Sequence, residues 1–300
     1  MEEGVQVVYN VFHEAPLGVP IAIYFYMTGL SAGSFLISTM AYGLGMVKYK
    51  PVGKIGVVLA ILLLGLAPLN LIIDLGQPLR FWHLLFYLQP TSPITYGSFL
   101  LTIYPINCLI YGAFMFAGNA KLTRLFGLIG IPLALSVHGY TGFIMALGKA
   151  RALWNTALMP TYFLVSAMVS GIALMILVVI IQGLFFSPDR KINKELAFDF
   201  GRMLAYTILL DLFLVFSDMV LLMTLDPEAR EAAQLLLSGA FSTYFLGIEM
   251  FLGALVPVVI LLSPLKRRLV PVAIAAFLAM VGVMAMRYVM VIGGQAIPLA

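Results

Sequence analysis

KYKPVGKIGVVLAILLLGLAPLNLIIDLGQP, residues Lys48 to Pro78, is the stretch whose reading decides the fold. Three lysines, Lys48, Lys50 and Lys54, crowd its start. An apolar run from 52 to 73 follows, and a membrane-spanning helix needs about 20 such residues. Asp74 closes the run, ahead of a Gly-Gln-Pro turn. Basic at one end and acidic at the other, the segment reads as one crossing of a bilayer with an assigned direction.

The same kind of run recurs along the chain, near 17–46, 52–73, 93–118, 122–147, 155–186, 200–224, 239–263 and 269–292. Breaks between them carry turn chemistry: Lys50-Pro51, Ser92-Pro93, Ser187-Pro188, Asp226-Pro227 and Ser263-Pro264. With 62% apolar and 10% charged residues, nearly the whole chain belongs in lipid. The expected fold is therefore an all-α integral membrane protein of eight spanning helices. A weak internal repeat, Tyr24-Phe25 with Gly33 against Tyr162-Phe163 with Gly171, suggests two four-helix bundles, 1–150 and 151–300.

Twelve of the seventeen Lys and Arg lie in four alternate connections. These hold Lys48, Lys50 and Lys54; Lys121 and Arg124; Arg190, Lys191, Lys194 and Arg202; and Lys266, Arg267 and Arg268. The positive-inside bias puts them in the cytoplasm and both termini outside, in a multi-pass protein of the cytoplasmic membrane. The small positive net charge follows from these loops and gives no reason to expect nucleic acid. Residues 1–16 contain no Lys or Arg, so they lack the positive region of a signal peptide.

The rare residues narrow the chemistry. A single cysteine, Cys108, cannot hold an iron–sulfur cluster. Three histidines, of which only His138 is inside a helix, do not make the paired ligation of a membrane haem. No metal site, nucleotide loop or hydrolase motif is expected.

The remaining polar groups gather at the outer ends of the helices. Helix direction carries Asp74, His138 and Tyr140 there, and His13 and Glu14 enter from that side. Arg80 to Leu88, aromatic and too short to span, reads as a helix lying in the outer interface, with Trp154 as a second interface residue. Asp211, Asp218 and Glu249 lie inside spans, with Arg287 as their counter-charge. A structural ion pair explains one acid; three acids against one arginine leave a surplus suited to proton transfer. Ser31, Ser34 and Ser38, beside Gly29 and Gly33, read as small-residue helix packing. His138 and Tyr140 are two positions apart and cannot face one ring, so His138 is expected as a satisfied interhelical residue.

His138-Gly-Tyr140-Thr-Gly-Phe-Ile144, Leu153-Trp-Asn-Thr156 and Val165-Ser-Ala-Met-Val-Ser-Gly171 together resemble the NrfD/PsrC family of respiratory membrane subunits. Pro20 to Tyr24 with Gly29 to Gly33, Asp74-Leu-Gly-Gln-Pro-Leu-Arg-Phe81 before Ser92-Pro93 and Gly97, and Arg287 before Gly293-Gly294-Gln295 extend the likeness along nearly the whole chain. The resemblance implies a subunit without its own haem or iron–sulfur cluster that binds menaquinone or ubiquinone on the outer side. It also implies an iron–sulfur partner there, wired to a catalytic subunit that is often a molybdopterin enzyme. By the same resemblance Asn10, His13 and Tyr140 approach the quinone. Such donors would stabilise the oxygen that becomes anionic on reduction, and one could deliver a proton. Asp74, Asp218, Glu249 and Asp211 are the expected proton-transfer residues. Two other classes remain open from the residues: a secondary transporter, and an inert membrane anchor for a peripheral enzyme.

Overall fold

The computed structural model describes residues 17–186 and 192–296. Asn10 and His13 lie outside the described residues. Helices make up the described chain, with no strand among them. They are α1 (Val19–Tyr42), α2 (Lys50–Ile73), the single turn α3 (His83–Phe86), α4 (Pro93–Phe116), α5 (Ala120–Ala146), α6 (Met159–Ile181), α7 (Lys194–Thr224), α8 (Pro227–Leu237), α9 (Val256–Leu262) and α10 (Leu269–Tyr288). Wider, π-helical backbone extends three of them: Gln182–Phe186 after α6, Thr243–Leu255 before α9, and Val289–Gly293 after α10. Eight helical segments are long and apolar enough to cross a membrane. Leu62, Leu66, Ile103, Phe213, Phe216, Val259 and Phe277 stay exposed on them, as lipid-facing side chains must.

The helix starts follow local chemistry. Pro20, Pro51, Pro93, Pro160 and Pro227 sit in first turns, where the missing N–H costs nothing. Asn119 and Asn193 cap α5 and α7 by accepting from the Leu122 and Leu196 amides, each at 3.1 Å. The Asn193 cap starts α7 before the apolar run at 200. The added turn carries Asp199, which is buried and bridges Lys48 and Arg202. Pro257 cannot donate a helical bond and pushes on the carbonyl four residues back, and the widened backbone of 243–255 lies just upstream of it.

α1 and α6 form the buried centre. Gly33 and Gly171 meet backbone to backbone, and a Cβ on either would overlap the other helix. Gly29 faces Ala167, and the Phe25 and Phe163 rings meet edge to face at 5.3 Å. The two members of the sequence repeat are thus packed on each other. Ser31, Ser34, Ser166 and Ser170 donate to carbonyls of their own helices, so their small size serves the close approach. Gly253 and Gly282 make a second backbone contact, between the π-helical segment and α10.

The two ends of the bundle differ. At one end Lys48 and Arg202 share Asp199, and Gln182 donates to the Pro51 carbonyl at 3.4 Å. At the other end, Leu17 and Gln295 bond each other reciprocally at 2.8 and 2.9 Å, and Asp74 accepts from the Gly18 amide at 3.1 Å. The basic connections therefore gather at one end, and the first and last described residues meet at the opposite end.

Candidate functional site

A cavity of about 320 Å³ opens at that opposite end. This is near the lower bound of small-molecule sites, which run from about 300 to 1,000 Å³. Its walls are apolar: Ile21, Phe25, Leu71, Leu84, Leu101, Ile144 and Met145. Its polar groups are few: Tyr24 from α1, Asp74 at the end of α2, Ser98 from α4, Tyr140 from α5 and Trp154 from the connection to α6. An apolar chamber with a few convergent polar groups suits a flat, largely apolar ring carrying polar atoms.

Each polar group is held by a different device. Gly97 makes room for Tyr140, because a Cβ there would overlap the tyrosine ring and hydroxyl. The Tyr140 hydroxyl makes no hydrogen bond with the described residues, so it is free to donate into the cavity. The Asp74 Oδ2 is engaged by the Gly18 amide, which also places a negative charge at the N-terminus of α1. Asp74 therefore has a structural task beside any part in proton transfer. Arg151 donates to the Gln295 carbonyl at 3.1 Å and ties the α5–α6 connection to the chain's far end.

Trp154 corrects the sequence expectation. It does not lie in an interface belt but is buried, and its Nε1 donates to the Met290 carbonyl at 2.6 Å. Gly148 and Gly294 flank the indole at positions where a Cβ would strike it. The Met290 carbonyl belongs to the widened turn after α10, where regular helical bonding is interrupted. The expected interface helix over Arg80–Leu88 is also shorter than anticipated. It is a broken turn with α3 alone as helix; Phe86 and Tyr87 are exposed, while Leu84 reaches the cavity.

Deeper in the second half, a polar cluster surrounds Arg287. The Tyr162 hydroxyl donates to Glu249 Oε1 at 2.8 Å. Arg287, only 1% exposed, donates through Nη2 to the Phe163 carbonyl at 3.0 Å and to Ser166 Oγ at 2.7 Å. Its guanidinium also stands 3.8 Å from the centre of the Phe163 ring. Among the described residues Arg287 makes no ion pair with a carboxylate, so its counter-charge acts through space rather than by contact. Asp211 Oδ1, Asp218 Oδ1, Glu249 Oε2 and Arg287 Nε and Nη1 are buried with no hydrogen-bond partner among the described residues. A void of about 10 Å³, lined in part by Ser166, Asp211 and Glu249, lies beside two of these acids. That is close to the space one water requires.

His138 is buried as expected, but its Nε2 has no partner among the described residues, so it is not the satisfied interhelical group anticipated. Tyr162 is a site residue that sequence reasoning misses. Its signal is the repeat, in which it is the counterpart of the cavity-lining Tyr24. α8 falls where the apolar runs leave only a connection, although Ala229, Ala232, Ala233 and Leu236 recur at helical spacing behind Asp226-Pro227 and form its buried face. Among the described residues no group of His, Cys, Asp and Glu is arranged to hold a metal ion.

Known proteins resemble this chain along most of its length. The family described as "Polysulphide reductase, NrfD" matches residues 7–299. The chain is 30% identical to a polysulfide reductase chain of Wolinella succinogenes, over 92% of this chain and 93% of that protein. It is 29% identical to a selenate reductase subunit of Mesobacillus selenatarsenatis, over 94% of this chain and 74% of that protein. It is also 29% identical to the Hdr-like menaquinol oxidoreductase integral membrane subunit of Archaeoglobus fulgidus, over 95% of this chain and 72% of that protein.

Proposed function

The chain belongs to the NrfD family of integral membrane subunits, and from that premise we propose that it exchanges electrons between a membrane quinone and partner subunits docked at the Tyr140 end. The observation that carries the reading is the 320 Å³ cavity, in which apolar walls converge on Tyr140 and Asp74. Relatives named as menaquinol oxidoreductase and polysulfide reductase subunits support the same chemistry. The partners would be an iron–sulfur protein and a catalytic subunit, of molybdopterin type, on the outer face.

When bound, the quinone supplies a two-electron, two-proton couple. The residues of this chain hold and protonate it. Tyr140 Oη donates to a ring carbonyl oxygen whose charge grows on reduction. Asp74 stands at the rim with Oδ2 engaged by the Gly18 amide and Oδ1 left to exchange a proton. Ile21, Phe25, Leu101 and Ile144 exclude water from the ring. Asn10 and His13 complete the donor set in this reading.

Trp154 offers a direct test, because it lines the cavity and the other tryptophan, Trp82, is exposed. In a Trp82→Phe background, a short-tailed naphthoquinone should quench Trp154 fluorescence saturably at about one equivalent per chain. Quenching that rises linearly without saturation would remove the cavity as the binding site.

A second element rests on the unpartnered acid oxygens of Asp211, Asp218 and Glu249. We propose that these carboxyls carry protons between the quinone site and the basic end. Proteoliposomes holding the whole complex should acidify or alkalise with quinone turnover, and Asp218→Asn and Glu249→Gln should each abolish that change. Retention of the pH change in both variants would leave the acids a structural role only. An inert anchor would keep full turnover in every one of these variants, and a transporter would move its substrate without partner subunits.

A further inference from the structure

The basic end holds a second cavity, of about 220 Å³, that quinone chemistry does not use. It lies between the start of α7 and the turn joining α9 to α10. Arg202, Lys266 and Arg267 line it together with Phe198, Leu261 and Val272, and among the described residues no carboxylate does. The turn that carries two of the cations is built rather than loose. Ser263 Oγ accepts from the Leu265 amide at 3.2 Å, the Lys266 amide donates to the Ser263 carbonyl at 3.2 Å, and Pro264 fixes the entry. Lys266 and Arg267 have no ion-pair partner among the described residues. Arg202 does have one, Asp199, which Lys48 shares, and Lys48 also pairs with Glu195 at 3.8 Å, so the positive excess at the cavity comes from Lys266 and Arg267. Gly201 also lines the cavity, and a Cβ there would stand 3.3 Å from Leu261 Cδ2.

Unpaired cations over an apolar wall, at the end of a membrane bundle, are complementary to an amphiphile with an anionic head. Leu261 and Val272 belong to the packed core behind the cavity, whereas Phe198 is only half-buried, so a free anion would satisfy the cations but would leave the apolar surface of Phe198 uncovered. We propose that this cavity binds one anionic phospholipid of the leaflet at the basic end, with its phosphate among Arg202, Lys266 and Arg267 and an acyl chain along the apolar wall.

Native mass spectrometry of the full chain in neutral detergent tests this. The ligands titrated are phosphatidylglycerol, phosphatidylcholine and inorganic phosphate. One phosphatidylglycerol should bind in preference to phosphatidylcholine. Lys266→Gln with Arg267→Gln should weaken it about thirtyfold, given the usual contribution of each surface cation. Lys121→Gln with Arg124→Gln, at another basic connection, should leave it unchanged. Equal weakening in both pairs, equal binding of phosphatidylcholine, or displacement of the lipid by equimolar inorganic phosphate would each overturn the proposal. Should the glutamine pair fail to accumulate, Lys266→Gln alone decides, with about fivefold weakening expected and no change overturning the site.

Discussion

Tyr140→Phe is expected to lower quinone-coupled turnover of the assembled complex about a hundredfold or more, with the amount of complex in the membrane unchanged. The change removes one oxygen and keeps the ring that packs against Gly97, so the cavity wall stays in place. What is lost is a hydroxyl donor on the wall of an apolar chamber. The Tyr140 hydroxyl has no hydrogen bond within the described protein, so its removal orphans no internal partner and the folded state loses little. Steady-state quinone turnover, measured beside immunodetection of the chain and its partners, separates the two effects. Turnover within about threefold of the native complex would remove Tyr140 from the reaction. A parallel loss of the complex itself would instead make the hydroxyl structural.

Arg287→Met is expected to lower stability by about 3–5 kcal/mol, because it leaves buried acids without a nearby positive charge. Arg287 is fully enclosed, and three kinds of contact hold it: the Phe163 carbonyl, Ser166 Oγ and the face of the Phe163 ring. Methionine replaces the apolar stem but not the guanidinium, and it can make none of the polar contacts. The exchange also removes the positive charge from a region that buries Glu249 and the Asp211 Oδ1, and it leaves the Phe163 carbonyl and Ser166 less well satisfied. Arg287→Lys should fall between the two, because an ammonium keeps the charge but not the planar fork. Thermal unfolding of the purified chain in detergent, with the yield of monodisperse protein, is the measurement. A melting curve for Arg287→Met that overlays the native one would show that the acids carry no charge needing compensation.

Different parts of this molecule are legible to different degrees. The spans can be read from apolar runs because a bilayer imposes a minimum length on each crossing. The gathering of basic residues at one end can be read from loop composition, and Asp74 and Tyr140 come to the opposite end by helix direction alone. Apolar counting places the start of α7 too late because its first turn is charged, and such a count cannot see that Asp199 is buried between Lys48 and Arg202. Trp154 misleads for a related reason. Tryptophan at a helix end commonly marks an interface, and only the carbonyl of Met290, 136 residues away, makes it an internal strut. The Tyr162–Glu249 bond is equally hidden, as its partners lie 87 residues apart.

The sequence by itself determined that the chain spans a membrane, which end of the bundle collects the cations, and which family the chain belongs to, because these depend on composition, helix direction and short motifs. The tertiary structure alone decided which helices are neighbours. That choice rests on backbone contacts at Gly33 with Gly171 and Gly253 with Gly282, where the absence of a side chain lets two helices approach. Those contacts bring Ser166 and Phe163 beneath Arg287 and form the void beside Glu249, while Gly97 admits the Tyr140 ring to the cavity wall. Helical periodicity gives the direction in which a side chain points; what it meets there depends on how closely the next helix can pack.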